Sequence, residues 1–297
     1  MMNKLHLMCI TVNFLRWGLI ATCLVRTAIC AEECPPGNNF DHVGMAKVFK
    51  DQIIALYRTG QAVDAKVLVR QIDEPPKPVP LPTLPLAAGS FPALYAARCR
   101  SVLVVGSLVN CGKCKNLHDR PASGFVVAPD GIVATACHVV TSSNALILAA
   151  MDYDRKLYPV TAVLAADRRK DVAIIKVQGL TAPPLRFSAE HSVGSEVWVI
   201  SHPADHFYLL TRGIVSGLFC EYLGGRPVNR MAITAEFGGG SSGAPVFNSR
   251  GEAVAMAIST HPITTEGSKA QPYVQMVIRN CLPAEDIIDL LRGNREP

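Results

Sequence analysis

The sequence predicts an all-β fold for most of the chain. Its 22 glycines and 21 prolines, with only 18% charged residues, suit a turn-rich β protein better than a helical one. Apolar runs of strand length, such as Gly124–Val127 and Ile132–Ala134, are separated by the turn signal Pro129-Asp130-Gly131. With 297 residues, 49% of them hydrophobic, the chain has enough material for one such domain and an extension.

The first 31 residues have the features of a targeting segment. Lys4 and Arg16 precede the apolar run Trp17–Val25, and small residues follow over Ala28–Ala31. This apolar run of about nine residues is too short to span a bilayer. We therefore expect residues 1–31 to be a cleaved signal peptide and the protein to be secreted or periplasmic, with an uncleaved membrane anchor as the alternative.

The charge distribution bears on the kind of partner. The formal net charge is +5, and three of the basic residues lie in the predicted signal peptide. The sequence contains no long basic block and no alternation of aromatic and basic residues. It therefore argues against nucleic acid as a partner.

Residues 32–85 predict a helical N-terminal extension and a Pro-rich linker. Within His42–Ile72 apolar residues recur at three- and four-residue steps, and Thr59-Gly60-Gln61 is expected to divide the segment into two helices. Asp73–Pro80 resembles a polyproline spacer. The extension is either an arm for docking or homo-oligomerisation, a helix packed on the next domain, or a poorly ordered lead-in. The apolar face predicted for the helices contains Val43, Ala46, Phe49, Ile53, Leu56 and Tyr57.

A serine in a glycine-rich turn is the first candidate for chemistry. The stretch Gly238–Pro245 lies between apolar runs and contains Ser242. Gly240 can turn its N–H toward a developing oxyanion, because it has no Cβ in the way. A serine is a poor nucleophile alone, so this interpretation requires a base and an orienting acid.

Candidates for both groups occur earlier in the chain. His138 follows the second strand of the predicted hairpin, and Asp171 opens the apolar run Val172–Val177. The order His, Asp, Ser is the chymotrypsin order. Three other acids compete for the histidine, but only Asp171 stands at the start of such a strand; the three are Asp152, Asp154 and Asp167.

Five segments resemble successive landmarks of the HtrA/Deg branch of the trypsin-like serine proteases. They are "SGFVVAPDGIVATACHVV", "DVAIIKV", "TRGIVSGL", "GSSGAPVFNSRGEAVAM" and "YVQMVIRNCLPAEDIIDLL". The resemblance covers about Phe91 to Leu291 and implies a double six-stranded antiparallel β-barrel with its active site between the barrels. It implies a protease domain over 86–297, with barrel one at about 91–180, barrel two at about 187–282 and a C-terminal helix at 283–292.

By this resemblance, His138 is the general base, Asp171 orients it, and Ser242 is the nucleophile. The N–H groups of Gly240 and Ser242 would form the oxyanion hole. The implied function is a serine endopeptidase that cleaves protein or peptide substrates through an acyl-enzyme, without a cofactor, in extracytoplasmic protein quality control. The alternative is a protease-fold peptide-binding or chaperone-like module with a resting active site.

The sequence departs from the family pattern at several positions. Ala244 replaces a glycine, Ser241 stands where the branch usually has Asn, and Ser201-His202-Pro203 replaces Gly-Asn-Pro. None of these changes removes a catalytic group. After Leu291 we expect no room for the PDZ domain that the family typically carries.

By the same resemblance, Glu236, six residues before Ser242, occupies the place that lines the base of the specificity pocket in trypsin-like enzymes. A buried carboxylate at the base of the specificity pocket would favour Lys or Arg at the cleavage site. The HtrA-like expectation of small apolar residues is the alternative.

Seven cysteines follow the predicted signal peptide, which suggests disulfides in an exported protein. We expect a disulfide from Cys99 to Cys111 or Cys114. The alternative is a zinc site in a zinc-stabilised adaptor, formed by Cys99, Cys111, Cys114 and His118. Cys137 is expected in the core, and the remaining histidines at the surface or in satisfied polar contacts; a metal site at His202, Asp205 and His206 is disfavoured.

Overall fold

Two six-stranded antiparallel barrels form the body of the protein in the computed structural model, which describes residues 40–86, 89–265 and 273–295. The predicted signal peptide and Cys34 lie outside these residues. Within them, no helix combines the length and apolar character needed to cross a bilayer.

In the described part of the chain, three helices precede the first barrel: α1 (His42–Thr59), α2 (Ala65–Gln71) and α3 (Phe91–Cys99). Gly60 ends α1 with a left-handed φ of 69°, a conformation that glycine adopts without steric cost. The sequence analysis did not predict the helix α3. Because this helix occupies the residues where barrel one was expected to begin, the first strand begins only at Val102.

Barrel one contains β1 (Val102–Asn110), β2 (Leu117–Ala128), β3 (Ile132–Thr135), β4 (Ala145–Met151), β5 (Leu157–Asp167) and β6 (Val172–Val177). A short helix, α4 (Cys137–Val140), follows β3. The strands are hydrogen-bonded in the order β1-β2-β3-β6-β5-β4, and β4 pairs with β1 to close the barrel.

Barrel two contains β7 (Glu196–Ser201), β8 (Leu209–Leu223), β9 (Arg226–Ile233), β10 (Pro245–Asn248), β11 (Ala253–Thr265) and β12 (Tyr273–Pro283). Its order is β10-β11-β12-β9-β8-β7, closed by pairing of β10 with β7. The helix α5 (Ala284–Leu291) follows. The predicted all-β double barrel, with helices at both ends, is confirmed.

A third apolar core lies between the barrels and joins them to the helices. Trp198 stacks on Phe247 with ring centroids 4.3 Å apart, and Phe91 of α3 meets the same indole edge-on at 5.2 Å. Ile287 of α5 is fully buried in this cluster. The barrels are therefore held in one arrangement by apolar packing as well as by the chain.

The buried face of α1 also belongs to this core. Met45, Phe49 and Ile53 are fully buried at four-residue steps, whereas the predicted face member Val43 is 82% exposed. The predicted apolar face is therefore wrong at Val43, because the buried side of the helix is the neighbouring row that contains Met45, Phe49 and Ile53. This apolar face is covered by the chain itself and is not available to a second copy. Within the described residues, the extension packs on the barrels through α1 and α2.

Candidate active site

His138 and Asp171 are brought together by the pairing of β3 with β6. These strands run antiparallel, with Thr135 opposite Ala173, so the residues after β3 lie beside the residue before β6. Asp171 has a left-handed φ of 62°, a region that Asp enters more readily than most residues. Its carbonyl oxygen accepts the N–H of Cys137 at 3.2 Å, which fixes the approach of the two segments.

Both carboxylate oxygens of Asp171 contact the histidine. Oδ2 lies 2.6 Å from His138 Nδ1, and Oδ1 accepts the backbone N–H of His138 at 2.9 Å. A carboxylate can only accept, so Nδ1 carries a hydrogen and Nε2 of the neutral ring has a free lone pair. The imidazole is thus held in the tautomer that a general base needs.

Ser242 lies in a tight turn between two glycines that use positive φ. Gly240 has φ +96° and Gly243 has φ +88°; an added Cβ would lie 2.4 Å from the His202 carbonyl oxygen and 2.2 Å from the Ser123 carbonyl oxygen, respectively. No other residue fits either position without displacing backbone. The glycine-rich sequence is therefore required by the packing of this turn.

Barrel one fixes this turn through Ser123 on β2. The Ser123 N–H donates to the Ser242 carbonyl at 2.9 Å, and its hydroxyl donates to the Gly240 carbonyl at 2.9 Å. The Ser123 carbonyl in turn accepts the Thr135 hydroxyl at 2.7 Å. Two elements of the histidine's barrel thus position the serine's turn.

The serine, the histidine and the turn line one cleft of about 400 Å³, together with Arg120 and Ser142. Among the described residues, neither the Gly240 N–H nor the Ser242 N–H donates to a protein acceptor. The Ser242 hydroxyl donates to the Ile258 carbonyl at 3.3 Å. The cleft therefore combines two unengaged backbone donors with a hydroxyl and an oriented imidazole, the groups used in acyl transfer.

The region that contains this cleft is similar to known protease domains. Residues 122–256, which include His138, Asp171 and Ser242, match the family model described as a trypsin-like peptidase domain. A probable periplasmic serine endoprotease, DegP-like, of Ectopseudomonas mendocina is 34% identical over 134 residues, 44% of this chain and 28% of the relative. Residues 122–256 are thus similar to trypsin-like peptidase domains and to DegP-like serine endoproteases.

Further proteins that resemble the chain are also proteases by name. Protease Do-like 1, chloroplastic, of Arabidopsis thaliana is 32% identical over 140 residues, 43% of this chain and 30% of the relative. The active form of the Rv3671c protease from M. tuberculosis has a TM-score of 0.53 at 24% identity. The match covers 73% of this chain and 95% of the Rv3671c chain. An HtrA-type protease, AlgW with tripeptide, has a TM-score of 0.53 at 17% identity. The match covers 68% of this chain and 64% of the AlgW chain. These structures show the fold, and the chain matches less than a third of the length of these curated relatives.

Each competing acid of the protease domain is engaged elsewhere. Asp167 is buried and accepts the backbone N–H groups of Arg169 and Lys170. Asp152 accepts the Tyr158 hydroxyl at 2.9 Å, and Asp154 pairs with Arg100 at 2.5 Å.

Glu236 is not the buried carboxylate that the specificity prediction requires. Its side chain is 77% exposed and pairs with Arg279, Nη2 to Oε1, at 3.0 Å. An exposed carboxylate neutralised by a neighbouring guanidinium offers little charge to a substrate side chain. Glu236 therefore gives no support to the prediction of Lys or Arg at the cleavage site.

The predicted disulfide from Cys99 is wrong, because the six described cysteines are all free. Cys99 ends α3, whereas Cys111 follows the nine residues of β1, a strand about 30 Å long. A disulfide needs Cα atoms within about 7 Å. The same separation removes Cys99 from the alternative zinc set, whose other members Cys111, Cys114 and His118 do converge.

The surroundings of Cys137 and of the histidines His202 and His206 can be compared with the sequence-based expectations. Cys137 is buried as expected, but on the helical turn α4, and burial raises the pKa of its thiol to about 12. His202 is fully buried, and its Nδ1 accepts the Tyr208 N–H at 3.0 Å. His206 is exposed, and among the described residues the two histidines belong to no group of three metal ligands.

Ser123 is a supporting residue that the sequence analysis missed, whereas Ser201 and Ser241 were noted only as departures from the family pattern. Ser241 is buried, and its hydroxyl donates to Ser201 Oγ at 3.0 Å and lies 3.3 Å from the Gly238 N–H. Ser123 stands in the quoted "SGFVV" segment, so its position was available, but its contact across the barrels was not.

Proposed function

We propose that the chain is a serine endopeptidase that cleaves peptide bonds in protein substrates through a Ser-His-Asp triad. The observation that carries this proposal is that His138, which makes two hydrogen bonds to Asp171, lines the same cleft as Ser242. The trypsin-like family match and the DegP-like relatives support the same reaction class.

In the proposed reaction, His138 Nε2 accepts the proton of the Ser242 hydroxyl as Oγ attacks the peptide carbonyl. The hydroxyl must first leave its bond to the Ile258 carbonyl. Asp171 stabilises the imidazolium, and the N–H groups of Gly240 and Ser242 donate to the oxyanion of the tetrahedral intermediate. His138 then protonates the leaving amine, and a water activated by the same imidazole hydrolyses the acyl-enzyme.

A fluorophosphonate probe, which reacts only with activated serines, tests the nucleophile directly. We expect the purified protein to be labelled and Ser242→Ala to be unlabelled. Ser249→Ala is the matched control, since Ser249 is exposed in the loop between β10 and β11. Labelling that persists in Ser242→Ala would contradict the assignment of the nucleophile.

We further propose that residues 1–31 direct export and are removed, which leaves the extension 32–85 and the protease domain 86–297. The periplasmic names of the DegP-like relatives support this location, in which extracytoplasmic protein quality control is the proposed role. N-terminal sequencing of the exported protein should find a start near Ala31. An intact Met1 in the membrane fraction would indicate an anchor instead.

The second candidate function is a peptide-binding module with a resting site. It is favoured by the Ser242 hydroxyl, which bonds to Ile258 and, among the described residues, makes no hydrogen bond to His138. Peptides added with the probe distinguish the two functions. Labelling that requires peptide indicates a resting enzyme, and binding without labelling or turnover indicates a binding module.

A further inference from the structure

The tip of the β1–β2 hairpin carries three side chains of metal-binding type outside the active site. The strands pair up to Asn110 opposite Leu117, with Val109 opposite His118. Cys111 and Cys114 lie in the connection between the strands. Two thiols and an imidazole therefore meet at one end of barrel one, in a C-x₂-C-x₃-H spacing.

The ligand atoms of these three side chains already lie close together. Cys114 Sγ is 3.4 Å from Cys111 Sγ and 3.0 Å from His118 Nε2. Around a tetrahedral zinc ion the corresponding separations are about 3.8 and 3.5 Å, from metal–ligand distances of about 2.3 and 2.0 Å. The atoms need to move apart by a few tenths of an ångström, which an exposed turn permits.

The connection is shaped to present the sulfurs. Gly112 has a left-handed φ of 68°, and its N–H donates to Asn110 Oδ1 at 3.0 Å. The Lys113 N–H donates to Cys111 Sγ at 3.4 Å. Hydrogen bonds from backbone to sulfur orient a thiolate and balance its charge when it binds a metal.

Core packing does not explain this cluster. Cys114 is exposed, and Cys111 and His118 are partly exposed, whereas Cys99, Cys137 and Cys281 are buried. Among the described residues no other group of three or more such side chains converges in this way.

We propose that Cys111, Cys114 and His118 bind a zinc ion at this hairpin tip, with water in the fourth coordination position. Sulfur and imidazole together favour zinc over magnesium or calcium, which prefer oxygen ligands. The ion joins the turn to β2 two residues before Arg120, which lines the active-site cleft. This site is separate from the proposed peptidase chemistry and does not depend on it.

Cobalt substitution tests the site by its own spectrum. Reduced, metal-free protein titrated with Co²⁺ should show thiolate-to-metal charge transfer and the visible bands of a tetrahedral ion, and Zn²⁺ should displace them with a single ion per chain. The Cys111→Ser/Cys114→Ser variant should lose the charge-transfer band. His118→Asn should weaken zinc binding by more than about tenfold.

Two variants serve as matched controls. Cys220 is an exposed cysteine on β8, and His261 is an exposed histidine on β11. Cys220→Ser and His261→Asn should bind Co²⁺ as the unchanged protein does. Zinc should raise the Tm of the protein and of both controls but not of the ligand variants, and circular dichroism should show that all variants are folded.

The proposal is overturned by a charge-transfer band that survives in the double serine variant. It is also overturned if the protein takes up no Co²⁺ while alkylation and mass spectrometry show Cys111 and Cys114 free. Formation of a Cys111–Cys114 disulfide that excess zinc does not prevent would equally contradict it.

Discussion

His202 gives a prediction about stability and pH whose size follows from the structure. The imidazole is fully buried, and burial lowers its pKa to about 3, with the Leu103 backbone offsetting only part of the effect. No charged group contributes to this shift. In the unfolded chain the pKa of His202 returns to about 6.5.

The sign follows from proton binding. Between pH 6.5 and 3 the unfolded chain binds a proton at His202 and the native protein does not, so stability falls as the pH falls. Each pK unit corresponds to about 1.4 kcal/mol. At pH 5 the loss should therefore be about 2 kcal/mol relative to neutral pH.

The measurement is urea unfolding at pH 7.5 and pH 5 for the unchanged protein and His202→Asn. An asparagine oxygen can still accept the Tyr208 N–H but does not titrate. The difference in unfolding free energy between the two pH values should be about 2 kcal/mol smaller in the variant, and His261→Asn, at an exposed site, should resemble the unchanged protein. Identical pH dependence in all three proteins would refute the reasoning.

Three further substitutions, and a glycine control for one of them, test the site and the core. Asp171→Asn removes the charge that holds the His138 tautomer, so kcat at pH 7 should fall about 10⁴-fold while the urea midpoint changes little. Gly243→Ala places a Cβ 2.2 Å from a carbonyl oxygen at φ +88°; it should abolish activity and lower the unfolding free energy by at least about 2 kcal/mol. Gly238→Ala meets nothing within 4 Å and should retain both properties. Phe49→Ala removes a fully buried ring and should lower the unfolding free energy by about 3–5 kcal/mol.

Each of these expectations has a contradicting result. Normal kcat in Asp171→Asn would mean that another group orients the imidazole. Equal behaviour of the Gly243 and Gly238 variants would mean that the serine turn is not tightly packed. Val43→Ala, at a position that is 82% exposed, is the control for Phe49→Ala; equal urea midpoints would show that α1 does not pack on the barrels in solution.

Local patterns in the sequence predicted several of the strands and pointed to the candidate residues His138, Asp171 and Ser242, whose roles came from the resemblance to the HtrA/Deg branch. The turn signal before Ile132 marked a hairpin, and the glycines around Ser242 marked a tight turn, because both depend on backbone conformations that few residues adopt. The double barrel itself came from the resemblance to the HtrA/Deg branch, since periodicity does not specify which strands close on each other.

Long-range contacts account for what could not be predicted. Ser123 bonds to residues more than a hundred positions away, and no spacing in the sequence indicates such a contact. The burial of His202 and the exposure of Glu236 depend on how the barrels pack, and residue type alone does not decide them. The Cys99 disulfide failed for a similar reason, because closeness in sequence is not closeness in space when a strand separates two residues.

The division of the proposed triad between the barrels has a consequence during synthesis. His138 and Asp171 belong to barrel one, and Ser242 lies in barrel two, about seventy residues later in the chain. A ribosome-bound chain whose first barrel has emerged therefore has a base without a nucleophile. The proposed triad can assemble only after the second barrel has folded against Ser123, so the order of translation delays its assembly until barrel two has been synthesised.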